Sequence, residues 1–392
     1  MSDTDHPLLP PATPLLLRAA DTVQVGGVDS GVGLVVRPGA AELTALLRGL
    51  DGRRPQRAVL TDAAESGFDP AAVAGLLDGL RTAGLLVDLD AADLLAADAG
   101  PAAAARTTAE LPAVRGHPGG RPRWAARRRA TVLVEGATRV GVPLASVLAA
   151  SGVGRVCISD RGPALAADAV VGGLRARDEG RPRALAAADA VRRASPLADV
   201  RPLPEGTTPD LVVLARPWAA ADPLATGWQR SGIVHVVATV RGETGVVGPL
   251  VVPGRTSCLR CADLRRRDAD PSWPALAAQL TAGEVPPSGS TITCLLTAVT
   301  AAQQVLAYLD GSGAPAALGA TVELRPPDLV PVRRPWAAHP ECGCLAAPGR
   351  SAATPSGDSR GPALGARETV RGQWDQERPD RGPLRTDDLR PP

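Results

Sequence analysis

Four of the six cysteines fall into two close pairs, Cys258-Leu259-Arg260-Cys261 and Cys342-Gly343-Cys344, with Cys342 standing 81 positions after Cys261. Two such pairs are the arithmetic of a closed four-thiolate zinc site, each pair forming one knuckle. C-x-x-C is the common knuckle spacing, and C-x-C is tighter and rarer. A redox couple would instead open a helix directly after a strand, beside a partner base. This pair follows Pro253-Gly254-Arg255, which reads as a loop. Four thiolates leave no open coordination position, so the expected role of Cys258, Cys261, Cys342 and Cys344 is structural rather than catalytic. His339, three residues before Cys342, is a candidate substitute ligand, although a surface position suits it better. Cys157 and Cys294 sit inside a predicted strand and a predicted helix and read as buried apolar thiols.

A second constellation is the turn Glu135-Gly136-Ala137-Thr138-Arg139-Val140-Gly141, between an apolar run and a helical pattern. A nucleotide fingerprint there would read G-x-G-x-x-G, with glycines letting the backbone approach phosphates at a helix N-terminus. Gly136 and Gly141 match its ends, but the middle carries Thr138-Arg139. Their Cβ atoms occupy room a phosphate would need, and Glu135 adds negative charge beside it. Asp160, 24 residues after Gly136, stands where an acid would hold ribose hydroxyls.

Composition narrows the rest. The 392 residues contain no Lys and no Asn, so all 43 basic residues are Arg. That excludes a Walker-type phosphate loop, a pyridoxal Schiff base and a protein kinase, each of which needs Lys. A net charge of +2 and 2% aromatic residues give no electrostatic footprint or stacking platform for nucleic acid. The acidic N-terminus does not resemble a signal peptide, and no membrane span is expected. Few cysteines in a long chain suggest a reducing compartment, and a cytoplasmic location is expected.

These residues need elements to position them. A flexible arm is expected over 1–20. Over 21–88, two short strands around Gly27–Gly31 form a hairpin, followed by helices burying Leu43, Leu46, Leu47 and Leu50, then Val59 and Ala63, then Val73, Leu76, Leu77 and Leu80. Asp69-Pro70 supplies an N-cap and a proline at N1 for the third helix. A hairpin with three short helices is a winged-helix-like α+β module. Residues 89–130 read as a linker. From 131 the pattern alternates: strands at Thr131–Val134, Arg155–Asp160, Leu211–Leu214 and Ile233–Val237, helices between them, and a long helix near Thr291–Leu309. This predicts an α/β fold with a doubly wound, mainly parallel Rossmann-like sheet over 131–346. Residues 347–392 read as a disordered tail.

At this level of detail, residues 131–346 resemble the ThiF/MoeB superfamily of ATP-dependent adenylating enzymes, relatives of ubiquitin-activating enzymes. The resemblance rests on Val132-Leu133-Val134-Glu135-Gly136, Ala150-Ser151-Gly152-Val153-Gly154, Asp160, Gly180-Arg181-Pro182-Arg183-Ala184 and the Cys258/Cys261 knuckle. The stretches Thr256–Leu264, Asp268–Pro274 and His339–Cys344 are similar to the branch associated with azoline-containing peptide natural products. The N-terminal module is then similar to the PqqD-like element that binds leader peptides.

The resemblance implies a nucleotide site at Gly136, Gly141, Asp160 and Arg183, and three departures damage it. Active members use Lys where this chain has Arg183; they place a magnesium-binding Asp where Leu214 is followed by Ala215-Arg216; and catalytic-Cys members carry a nucleophile where 264–289 has none. Arg is not a conservative replacement in a tight phosphate site. ATP and magnesium are therefore not expected as cofactors, zinc is, and the domain reads as a catalytically impaired adenylyltransferase homologue. The implied role is a leader-peptide-binding adaptor that presents a precursor peptide to a YcaO-like or other cyclodehydratase. Strand addition would place the leader beside Val32, Leu34, Val36, Val73, Leu76 and Leu80. An active adenylyltransferase and a scaffold or regulatory protein of the same fold are the competing readings, and ThiF-like domains commonly form homodimers. His235 reads as a core histidine, and Arg265-Arg266-Arg267 as a solvated helix end.

Overall fold

The computed structural model describes residues 5–19, 21–27, 33–37, 40–89, 110, 124–216, 223–281, 289–311 and 313–345. Val32, most of the 89–130 linker and the 347–392 tail lie outside these residues.

The N-terminal part is built from strands β1 (His6–Leu8), β2 (Leu15–Ala19), β3 (Thr22–Gly26), β4 (Gly33–Val36) and β5 (Val87–Leu89), and helices α1 (Ala40–Arg48), α2 (Gln56–Glu65) and α3 (Pro70–Thr82). Within the arm expected over 1–20, the described residues 5–19 hold two strands: β1 pairs antiparallel with β5, and β2 pairs antiparallel with β3. Pro7 lies within β1, opposite Asp88, and Pro10, Pro11 and Pro14 lie between the two strands, while Leu8 and Leu9 are buried. Asp69 caps α3 as expected, its carboxylate accepting the Ala71 N–H at 3.0 Å. Val23, Val25, Leu43, Leu47, Val59, Val73, Leu77 and Leu80 form one apolar cluster under the β2-β3-β4 sheet. Burying a leucine fully contributes about 1.5–3 kcal/mol, and Leu47, Leu77 and Leu80 are all at 0% exposure.

The larger part starts earlier than residue 131, with α4 (Trp124–Arg129). Arg127 explains the earlier start: its guanidinium makes a buried two-pronged bond to Asp310 at 2.7 and 2.8 Å and donates to the Ser151 carbonyl. Next come β6 (Thr131–Glu135), α5 (Gly141–Ala150), β7 (Arg155–Ser159), α6 (Arg183–Ala194), β8 (Leu211–Leu214), α7 (Pro223–Arg230), β9 (His235–Arg241) and β10 (Thr244–Val251). The chain continues through α8 (Leu259–Ala269), α9 (Trp273–Thr281), α10 (Thr291–Asp310), β11 (Ala320–Leu324) and β12 (Pro331–Pro335). The sheet order is β12-β11-β10-β9-β8-β6-β7. Strands β7, β6, β8 and β9 run parallel, and β10, β11 and β12 extend them as antiparallel neighbours.

Period-two alternation divides the parallel strands between two cores. Val132, Val134, Leu211, Val213, Val236 and Ala238 pack with Leu144 and Leu148 of α5 and Ala298, Ala301 and Val305 of α10. Leu133, Val212, Leu214 and Val237 face the other side, where they meet Ala225 of α7, Val251, Cys258 and Cys261.

The expectation of no membrane span needs correction at the sequence level. Residues 285–309 carry no charged side chain, and α10 is long and apolar enough to cross a membrane by length and composition. Its inner face, from Thr293 to Val305, is committed to the α/β core instead.

Candidate metal centre and the turn after β6

Helix α8 begins immediately after Cys258, so Cys258 and Cys261 lie one helical turn apart. The segment after β12 returns along α8 and is fastened to it at four points. Ser257 Oγ donates to the Trp336 carbonyl at 2.6 Å, Arg265 to the Ala338 carbonyl at 3.1 Å, Arg267 to Glu341 at 3.0 Å, and His339 Nε2 meets Asp268 at 2.7 Å. Gly343, at φ 64°, turns the chain between the second pair. The result brings Cys258, Cys261, Cys342 and Cys344 together with all four Sγ atoms within 4.8 Å of one another.

Sulfur separations are 3.9 Å for Cys258–Cys261, 3.4 Å for Cys258–Cys342 and 3.3 Å for Cys261–Cys344. A disulfide needs about 2.05 Å, so the four are free thiols. Zinc–sulfur bonds of about 2.3 Å in a tetrahedron place sulfurs about 3.8 Å apart. The cluster could therefore take a divalent ion with shifts of a few tenths of an ångström, and the donor set suits zinc. Burial pushes the Cys258 thiol far up and Cys344 up to about 11, the contact with Cys261 adding to the latter. Burial also opposes ionisation of Cys261, yet the His339 N–H, 3.3 Å from its sulfur, and the neighbouring groups draw it down. Without a cation these sulfurs cannot all ionise together; a bound metal deprotonates its thiols outright.

His339 corrects the surface expectation. It is 7% exposed, its ring bonds Asp268 and accepts the Glu341 N–H, and the clustered donors are the four sulfurs alone. Arg266 is likewise no solvated helix end: it lies 5.1 Å from the Trp273 ring centre and 4.6 Å from that of Trp336. Burial lowers its pKa despite Asp263 at 3.1 Å. His235 is fully buried in β9, with Nδ1–H donating to the Ile233 carbonyl at 2.8 Å. Cys157 and Cys294 are buried thiols, as their settings suggested.

At the β6–α5 turn, Gly136 has φ 117°, and a Cβ there would meet the Ala215 carbonyl at 3.0 Å. A Cβ on Gly141 would collide with the Gly136 carbonyl. Both glycines are thus needed for the turn to fold against Ala215. Thr138 Oγ1 donates to the Ala215 carbonyl at 2.7 Å and accepts the Gly141 N–H at 3.0 Å. A side chain of the loop itself caps the helix N-terminus, where a phosphate would otherwise be bound. Arg139 reaches away to the Gly289 carbonyl at 2.8 Å and Thr291 Oγ1 at 3.0 Å.

Asp160 is engaged as well: one oxygen accepts the Ala137 N–H at 2.6 Å and the other the Arg161 N–H at 2.6 Å. Arg183 opens α6 with one nitrogen 3.8 Å from Asp160 and another 3.1 Å from Asp168. Ala215, directly after β8, is 1% exposed and packed in the core. Gly136, Gly141, Asp160 and Arg183 therefore share one region, with Asp160 engaged by the Ala137 and Arg161 N–H groups and Arg183 paired mainly with Asp168. Asp168 went unnoticed in the sequence. Its position three residues after Leu165, whose N–H it accepts at 2.9 Å, was the available signal.

In the N-terminal part, Val73 and Leu80 are 3% and 0% exposed and support the module from within, so they cannot line a peptide surface. Leu34, Val36 and Leu76 are half-buried at its margin. Leu34 crosses α3 at Gly79, where a Cβ would lie 3.6 Å from its methyl group. Strand β4 is an edge of its sheet.

Comparison with known proteins agrees with this architecture. E. coli MccB, crystallised with MccA, shares 15% identity at a TM-score of 0.52, covering 87% of this chain and 99% of that one. The microcin C7 biosynthetic enzyme MccB in complex with N-formylated MccA gives 14% identity and 0.52, covering 86% and 99%. PaaA gives 17% identity and 0.52, covering 83% and 98%. At such identities these structures share a fold with this chain. A search of curated proteins returned no match. The ThiF family model matches residues 120–346, more than half of the sequence, and the chain belongs to the ThiF family.

Proposed function

We propose that this chain is a leader-peptide-binding adaptor for azol(in)e-type peptide biosynthesis, holding a precursor peptide for a separate cyclodehydratase of YcaO-like or related type. One observation carries the reading: the Thr138 hydroxyl fills the helix-end position that a nucleotide phosphate would need. Asp160 already accepts a backbone N–H on each carboxylate oxygen. With Ala215 at the metal position, this domain retains a scaffold without the means to hold and activate ATP. Similarity of fold to MccB, a biosynthetic enzyme captured with N-formylated MccA, supports handling of a polypeptide partner.

The N-terminal part supplies the binding mode. The free edge of β4 beside α3 offers backbone groups to an extended leader, and half-buried Leu34, Val36 and Leu76 offer apolar contacts. We read this part as the PqqD-like element and the four cysteines as a structural zinc site that fixes the C-terminal segment to α8. Free thiols suit a cytoplasmic setting. We further expect a homodimer, because Ile292, Leu296 and Val299 leave an apolar stripe on the solvent side of α10. The deciding experiment is pyrophosphate exchange into ATP with a candidate precursor present. An adaptor gives none while binding the leader; magnesium-dependent exchange would make the chain an adenylyltransferase.

A further inference from the structure

Beyond the turn and the cysteines, a cavity of about 610 Å³ opens between the short helical turn Ala176–Asp178 and the outer face of α6. It is lined by Arg177, Asp178, Arg181, Asp189, Arg192 and Arg193. Four guanidinium groups face two carboxylates there, and the carboxylates are already spent. Asp178 accepts the Arg175 N–H at 2.9 Å and an Arg181 nitrogen at 2.7 Å. Asp189 accepts Arg181 at 2.6 Å and Arg192 at 2.9 Å.

Arg193 has only the Gly173 carbonyl, at 3.2 Å, as a neutral acceptor. Burial and the positive charges of Arg175 and Arg177 lower its pKa, with Asp178 and Asp189 acting in the opposite direction. The two carboxylates hold Arg181 and Arg192, while Arg177 and Arg193, both exposed, have no carboxylate in bonding range among the described residues, so four guanidinium groups share two negative charges. Guanidinium forks match the geometry of phosphate oxygens, which they bind bidentately.

We propose that this cavity is a binding site for a polyvalent phosphate, free pyrophosphate or a nucleotide's phosphates, with Arg177 and Arg193 as principal ligands and Arg192 assisting. It is separate from the Gly136–Gly141 turn and does not depend on the adaptor reading. Asp178, 2% exposed, is structural: it accepts the Arg175 N–H and orients Arg181.

Calorimetric titration of the full chain with inorganic pyrophosphate, ADP and hexaglutamate tests the proposal. Pyrophosphate or ADP should bind, more weakly as salt rises, and Arg193→Ala and Arg177→Ala should each weaken binding about tenfold or more, as expected for loss of a charge-assisted bond. Binding of pyrophosphate identifies a free-phosphate site, and binding of ADP alone identifies a nucleotide. Unchanged melting temperatures in the variants establish that the site, not the fold, was lost; if Arg193→Ala does not fold, Arg177→Glu serves. No binding of either phosphate overturns the proposal. So does binding indifferent to both variants, which would place the anion at the β6–α5 turn, or tighter binding of hexaglutamate, which would make the cavity a peptide surface.

Discussion

Arg183 reaches Asp168 at 3.1 Å, joining the first turn of α6 to a largely buried carboxylate on the preceding connection. The Arg183 charge is thus neutralised within the protein. Arg183→Ala should therefore act on stability, leaving Asp168 buried without its cation. A loss of about 1–3 kcal/mol is expected from leaving a buried polar group without its partner, measured by urea unfolding. Arg183→Lys should recover part of it without conferring pyrophosphate exchange. Exchange activity in the Lys variant would show that one residue alone had disabled the site.

For the cysteines, metal analysis of the purified protein should return about one zinc per chain. Cys258→Ser should lower the melting temperature, and chelation should lower it in the unmodified chain, because metal binding energy contributes to folding. Metal-free protein with full stability would reduce the cluster to buried thiols.

How much of this was legible in sequence follows the range of each interaction. Cysteine spacing and period-two alternation are local, so β6, β7, β8 and the metal cluster could be read directly. Strand β1 could not, because its partner β5 lies about 80 residues away and neither has a local signal beyond three residues. The start of the larger domain was misplaced for the same reason: Arg127 and Asp310 are 183 positions apart. Thr138 was seen as an obstacle to phosphate. Its role as a cap depends on the Ala215 carbonyl, which only the folded sheet brings near.

That long-range ion pair gives its own prediction. Arg127 and Asp310 side chains are 4% and 7% exposed. Arg127→Ala should cost about 3–5 kcal/mol, because the remaining carboxylate stays buried and uncompensated. Replacing both residues with apolar ones of similar volume should cost much less. Equal losses in the single and double variants, by chemical unfolding, would contradict that account.

His235 gives a pH dependence with a definite sign. Burial, only partly opposed by the Ile233 carbonyl, lowers its pKa, so the folded chain keeps it neutral where the unfolded chain protonates it. The unfolded imidazole titrates near 6.5. Below that value the unfolded state binds more protons, so stability is fully present above it. It is lost at up to about 1.4 kcal/mol per pH unit as pH falls, until the folded imidazole also protonates. His235→Gln should flatten this part of the profile, measured as urea midpoints between pH 8 and pH 5. An unchanged slope would assign the acid sensitivity to other groups.

The peptide surface makes the most demanding prediction, because it must separate a groove from a core. Leu76 lies on the half-buried margin of α3, and Leu77 beside it is at 0% exposure. Leu77→Ala should cost about 2–5 kcal/mol through the cavity it leaves. It should weaken leader binding only as far as the fold is lost. Leu76→Ala and Val36→Ala remove surface that is already partly solvated, so stability should change little. Each should weaken binding of a cognate leader peptide by about tenfold if the side chain packs against it, the equivalent of 1.4 kcal/mol. Anisotropy titration of a labelled leader, read beside melting temperatures, keeps the two effects apart. A leader that binds both margin variants like the unmodified chain would remove the β4–α3 edge from consideration and place peptide recognition on the ThiF-family domain.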